Sequence, residues 1–204
     1  MYRATLALVK KVSCRYYFEM SSVDNTLVLL ERIGRLLQND GHADGLKPTQ
    51  WEALRYVGRA NRFSRSPSAL TAYLGVTKGT VSQTVMSLEK KGLIEKSGVS
   101  GDKRAVQIEL TRAGKKALAD DPLAHLAPVI ASMSNAESAR LAEGLQSLLS
   151  KLIAERGGRA FGVCKSCRYF RRNAAGGRPH LCGLLDEPLT DDDSNEICVE
   201  QEAA

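Results

Sequence analysis

No uninterrupted run of the roughly 18 apolar residues needed to cross a bilayer occurs in this chain. With 43% apolar residues over 204 positions, it reads instead as a soluble globular protein without a membrane span. Histidine is scarce. His42, His125 and His180 are the whole supply, and none stands in a catalytic spacing, so an enzyme finds no support. Acid is scarce locally. Residues 47–116 hold fourteen basic side chains against five acids (Glu52, Glu89, Glu95, Asp102 and Glu109). From residue 161 to the end the balance reverses, with five basic and eight acidic residues. Cysteine is missing between Cys14 and Cys164, and four of the five cysteines crowd the C-terminal end. The length suits one domain of ordinary size plus a small appendage.

Within the basic stretch, residues 77–112 (TKGTVSQTVMSLEKKGLIEKSGVSGDKRAVQIELTR) carry the strongest pattern. Val81, Val85 and Leu88 recur at helical spacing and give one apolar stripe. The other face offers Lys78, Thr80, Ser82, Gln83 and Lys90, donors small or flexible enough to allow close approach. Gly92 ends the helix, where a left-handed residue is wanted. A short strand, a glycine-bearing basic loop and the alternating strand 105–110 follow, with Val106, Ile108 and Leu110 on its core side. Upstream, Pro48-Thr49-Gln50-Trp51-Glu52 reads as a threonine cap with a glutamate capping box. Trp51, Leu54 and Val57/Gly58 make the helical stripe behind it. Ser66-Pro67 starts a short helix that stops at Gly75, and Thr77 caps the next one. Helix, tight turn, helix and basic hairpin form the kit that reads double-stranded DNA.

Over roughly residues 23–155 the chain resembles the MarR family of winged-helix transcriptional regulators. The resemblance rests on LGVTKGTVSQTVMSLEKKGLI (74–94) and on Asp102-Lys103-Arg104 followed by Leu110-Thr111 and Ala113-Gly114. It implies a mainly α fold with a small β-wing: a winged helix-turn-helix plus dimerisation helices. In such proteins the wing arginine enters the minor groove and the aspartate steadies it, roles that fall here to Arg104 and Asp102. Helix 77–91 would lie in the major groove, with Thr80, Ser82 and Gln83 toward base edges and Gln83 suited to adenine. Lys78, Lys90 and Lys103 would hold phosphates. The resemblance also implies a cytoplasmic homodimer, more often a repressor, that answers to a small, often aromatic, acid. A winged-helix module that binds an acidic protein partner is the alternative.

The flanks complete the division into residues 1–19, 20–156 and 157–204. Residues 1–19 carry Arg3, Lys10, Lys11 and Arg15 with one acid. They read as an over-extended reading frame ahead of Met20, or as a basic arm for DNA. Val23, Leu27, Leu30, Gly34 and Leu37 define an amphipathic first helix. Ser134-Asn135-Ala136-Glu137 is a capping box opening a helix with Leu141, Leu145, Leu148, Leu149 and Leu152 on one face. Between box and wing, residues 112–132 are helical by pattern; Pro122 should restart the helix and Pro128 should kink it.

The tail departs from the usual family pattern. Cys164 and Cys167 form a CxxC, with Cys182 and Cys198 following at separations of fifteen and sixteen. Gly157-Gly158 marks a hinge before it. So few core-forming residues need a staple, and in a DNA-binding, hence cytosolic, protein disulfides are a poor one. Four thiolates on a metal suit the spacing. Zinc asks least of the cell, whereas CxxCxxF with single cysteines also resembles modules holding a [4Fe–4S] cluster. His180 is a substitute ligand, and a disordered tail with free thiols is the plainer reading. Redox catalysis by the CxxC lacks a strand–CxxC–helix setting. Loss of the metal would unfold the tail and disturb the adjacent helix 135–155.

Overall fold

The computed structural model describes residues 21–42, 45–99, 102–174 and 179–204, with side chains left undescribed at 99 and 102–105. Residues 1–19 and Cys14 lie outside the described residues. The chain divides into two units, Met1–Gly45 and Leu46–Ala204.

In the first unit, α1 (Ser22–Asp40) begins where the Ser21 hydroxyl accepts the Asp24 backbone N–H. No side chain of α1 is buried, and Val23 and Leu27 are 65% and 61% exposed. Among the described residues no helix is long and apolar enough to cross a membrane.

The second unit runs α2 (Pro48–Arg59), α3 (Pro67–Leu74), α4 (Lys78–Lys90), β1 (Ile94–Val99), β2 (Asp102–Leu110) and α5 (Arg112–Ala119). A 3-10 turn (Pro122–His125), α6 (Leu126–Ala131) and α7 (Asn135–Glu155) follow. The tail adds β3 (Gly162–Val163), a 3-10 turn (Cys164–Ser166), β4 (Phe170–Arg172), β5 (His180–Cys182), β6 (Glu187–Leu189), α8 (Asp191–Asn195) and β7 (Ile197–Cys198). Among the described residues, β1 pairs with β2 and β3 with β7, both antiparallel, and β4–β5–β6 form a three-stranded sheet. The core gathers Trp51, Leu54 and Val57 of α2, Leu70 of α3, Val81, Val85 and Leu88 of α4, and Ile94 and Ile108 of the hairpin. Apolar stripes at helical spacing and the alternating strand thus meet in one cluster, as burial of apolar area favours.

Local punctuation explains the boundaries. Ser66 accepts the Ala69 N–H ahead of Pro67, and Gly75 closes α3 at φ +63. Thr77 accepts the Thr80 N–H, and Gly92 follows α4 at φ +69. At α7 the Ser134–Glu137 box closes in both directions, at 3.0 and 3.3 Å. The Ser134 bonds hold the Glu137 carboxyl below its ordinary range.

Three local expectations need correction. Thr49 is not the cap of α2: the helix starts after Lys47, whose N–H is taken by the Gln50 side chain at 2.9 Å. Gln50 rather than Glu52 closes that turn because Pro48 takes the first helical position and moves the start two residues earlier. Pro128 produces no mid-helix kink, because it lies in the first turn of α6, where few helical N–H partners are required. Pro122 does restart the chain, at the first position of the 3-10 turn, and Asp121 caps it, accepting the Leu123 N–H at 2.8 Å while receiving a fork from Arg55 at 2.7 Å on each oxygen. Val106 is 37% exposed, not part of the core face with Ile108.

Candidate nucleic-acid interface

One face of α4 is committed to the core and the other is left open. Val81, Thr84, Val85 and Leu88 are buried, while Lys78, Thr80, Ser82, Gln83, Met86 and Lys90 are exposed. The Thr80 hydroxyl lies 2.9 Å from that of Thr77, so it is turned toward the helix start. Gln50 anchors the helix from α2 by donating to the Ser87 hydroxyl at 2.8 Å. Its sequence signal is faint, since the pairing spans 37 positions. Beside the open face lies a groove of about 410 Å³ between α3, α4 and the hairpin, with Lys78, Ser82 and Lys96 among its lining. Lys96 also pairs with Glu89 at 2.6 Å, tying β1 to the end of α4. Sequence reasoning passed over Lys96, whose position follows from the hairpin register.

The hairpin pairs Ile94 with Leu110 through Gly98 with Val106, then shifts register before Val99 meets Asp102. Asp102, Lys103 and Arg104 belong to β2, and their side chains lie outside the described residues. At the base, Thr111 explains part of the motif on which the resemblance rests. Its hydroxyl donates to the Gly92 carbonyl at 2.6 Å and its N–H to Leu93 at 3.1 Å, while the same hydroxyl accepts the Gly114 N–H at 3.1 Å. A Cβ on Gly114 would stand 2.0 Å from the Leu93 carbonyl oxygen. Thr111 and Gly114, with Leu110 beside them, therefore clamp the wing root.

Segment 60–66, between α2 and α3, connects this reading head to the tail. The Arg65 carbonyl accepts the Ile108 N–H of the wing at 2.7 Å, and Gln107 donates to the Arg62 carbonyl at 3.0 Å. On its other side, Asn61 N–H reaches the Ile197 carbonyl at 2.9 Å and Val199 N–H reaches the Ser64 hydroxyl at 2.9 Å. Arg62 bonds Asp193 at 2.9 Å and the Pro188 carbonyl at 2.6 Å; Arg65 bonds Glu196 at 3.1 Å. Phe161 sets its ring edge-on to Tyr73 and Tyr56, at 5.1 and 6.3 Å. Phe161, Ile197 and Val199 pack on the head's core. The tail's shortage of apolar residues is thus met in part by the head. This docking was not legible in the sequence, because Asn61, Arg62, Ser64 and Arg65 look like ordinary polar loop residues.

The structure brings the four tail cysteines together. Cys164, Cys167, Cys182 and Cys198 line a single cavity with Tyr169, Phe170, Leu184, Leu189 and Glu200. Cys164 and Cys198 are buried, and the fully buried Asn61 donates to the Cys164 sulfur at 3.2 Å. The Cys198 thiol is lowered to about 6, chiefly by the hydrogen bond shared with Cys164; burial opposes this, while Asn61, the Glu200 backbone and Ser64 add to it. That shared bond raises Cys164, so the pair favours one thiolate. His180 lies apart from the cavity lining, its Nε2 3.0 Å from Asp191 and its ring 4.8 Å from Phe170.

The model of the MarR family matches residues 44–105. The transcriptional repressor MprA of Escherichia coli strain K12 is 29% identical over 127 residues, 61% of this chain and 70% of MprA. Among solved structures, Streptococcus pneumoniae FabT in complex with DNA aligns with a TM-score of 0.54 at 24% identity, covering 65% of this chain and 97% of FabT. CouR from Rhodococcus jostii RHA1 bound to p-coumaroyl-CoA aligns at 0.53 with 19% identity, covering 64% and 95%. These two share the fold. Over residues 44–105 the chain is thus similar to the MarR family, and that stretch contains α4 with its open face and lies directly before the clamped wing root.

Proposed function

We propose that the protein is a homodimeric, sequence-specific DNA-binding repressor of the cytoplasm. The observation that carries this reading is the polar, basic open face of α4 beside a hairpin clamped at its root. Helix α4 enters the major groove, where Gln83 and Ser82 meet base edges and Thr80 contributes from the first turn. Lys78, Lys90 and Lys103 hold phosphates; Arg104, steadied by Asp102, reaches the minor groove. Repression is supported by the likeness to MprA, a repressor by name.

Dimerisation is supported by uncovered apolar faces. Helices α1 and α7 bury no residue, and α7 leaves Leu141, Leu145, Leu149 and Leu152 between 39% and 57% exposed. Stripes of that length on a soluble protein call for a partner, and a second copy would also supply the second half-site that one recognition helix needs. A small-molecule effector is the further part of the reading, supported by the bound ligand of CouR. The four-cysteine tail completes it as a metal-stapled module, with zinc and a [4Fe–4S] cluster as the candidate occupants. The test is binding to its own promoter fragment amid excess competitor DNA, with oligomeric state measured in parallel. A monomer that prefers no fragment over random sequence would sink the proposal.

A further inference from the structure

We propose that Cys164, Cys167, Cys182 and Cys198 hold a [4Fe–4S] cluster, and that segment 60–66 makes the operator affinity of the head depend on it. The inference rests on the DNA-binding reading above for its second half only.

Ligand number and spacing carry the first half. All four thiols line one cavity, whose exposed lining is apolar. A cubane takes one thiolate at each of its four irons, so it uses all four. The CxxC followed by Phe170 and by the single cysteines Cys182 and Cys198 resembles the ligand pattern of such modules. The 3-10 turn Cys164–Ser166 turns the CxxC so that both of its sulfurs line the cavity. Tyr169 and Phe170, with Leu184 and Leu189, fill the remaining wall, which restricts water at the cluster. His180, whose Nε2 faces Asp191, is not among the residues that line the cavity, which leaves the four cysteines as the thiolate set.

The second half follows from what touches those ligands. Asn61, 103 positions upstream of Cys164, donates its side-chain amide to that sulfur and its backbone N–H to the residue before Cys198. Val199, on the other side of Cys198, donates to Ser64. The same short segment supports the reading head. The Tyr56 hydroxyl donates to the Ser64 carbonyl at 2.7 Å, Ser66 caps α3, and Arg65 accepts from the wing strand. Ligand positions and the head's geometry are therefore held by one backbone. Losing the cluster frees four sulfurs from fixed positions and removes the order they impose on Asn61 and Ser64, so α3 and the wing lose a shared support.

The experiment uses the full chain purified without oxygen, assayed for iron, acid-labile sulfide and zinc. Operator binding is measured before and after treatment with an iron chelator. About four irons and four sulfides per chain are expected, with operator affinity falling about tenfold on stripping, within the usual range of allosteric coupling. Arg62→Ala keeps every cysteine but cuts the links to Asp193 and Pro188. It should retain iron while its operator affinity falls even when loaded, which tests the coupling should stripping unfold the chain. Zinc without sulfide, or a chain with neither metal, overturns the cluster. Equal affinity of loaded and stripped protein, with Arg62→Ala unchanged, overturns the coupling. A loaded protein that prefers no operator refutes the DNA-binding reading and the coupling with it, while its iron and sulfide content still decides the cluster.

Discussion

Gly114→Ala is a one-methyl test of the wing clamp. The added Cβ would stand 2.0 Å from the Leu93 carbonyl oxygen and 3.0 Å from its carbon, whereas real Cβ atoms essentially never come within 3.0 Å. Both obstacles are backbone, so no side-chain rotation relieves them, and α5 must part from the hairpin by at least about 1 Å. That movement strains the bonds from Thr111 to Gly92 and Leu93. Overpacking costs about 1–3 kcal/mol, a lost hydrogen bond about 1, and alanine's better helix propensity returns up to about 1, leaving a net loss of about 2 kcal/mol. Urea unfolding should show it as a midpoint about 1 M lower at an unchanged slope. Gly144→Ala in α7 is the control. Nothing lies within 4 Å of its added Cβ, so the same chemical change should stabilise by up to about 1 kcal/mol. A Gly114→Ala protein within about 0.5 kcal/mol of the parent would refute the close-approach argument.

The other predictions concern the interface, the dimer and acid stability. Gln83→Ala should relax preference at one position per half-site by about 1–3 kcal/mol, read from affinities for a panel of single-base operator variants. Lys78→Ala should weaken all sequences alike and reduce the slope of log affinity against log salt by about one; an unaltered slope rules out the phosphate contact. Leu145→Glu should yield monomers in sedimentation analysis, since a charge on the α7 face opposes its covering, and persistence of a dimer places the interface elsewhere. The Arg55 fork holds the Asp121 carboxyl below its ordinary range, assisted by the Leu123 N–H against burial. Its folded value is depressed, so the stabilisation is present above about pH 4 and is lost as pH falls through that lower value. Asp121→Asn should therefore be less stable than the parent at pH 7, with the gap closing in acid. An equal gap at both ends would dismiss the ion pair as the cause.

The sequence-based expectations held where the physics was local. Ser66-Pro67, Thr77, Gly75, Gly92 and the Ser134–Glu137 box punctuate helices through partners three or four residues away, so a short window shows both halves of each interaction. Thr49 shows the limit. It and Gln50 are both plausible near a helix start, and the choice fell to Gln50, which bonds Lys47 and also reaches Ser87 on another helix. The open face of α4 was legible for a similar reason, because its buried stripe fixes the remaining positions by periodicity alone. Lys96 was not, since its place beside the groove depends on how the hairpin folds back over α4. Asn61 gave no signal. Its one distinctive partner is a sulfur on a segment that the chain reaches only after completing the whole winged domain.

By itself the sequence determined the helices and their caps, the polar face of one of them, the basic charge around it and the presence of four tail cysteines. Tertiary structure alone decided that those thiols share one wall, that the tail rests on segment 60–66, and that Gly114 must lack a side chain. The division has a physical origin. Caps and amphipathic stripes are set by chemistry within a turn or two of the backbone, whereas those later features depend on which distant surfaces the folded path brings within a few ångströms.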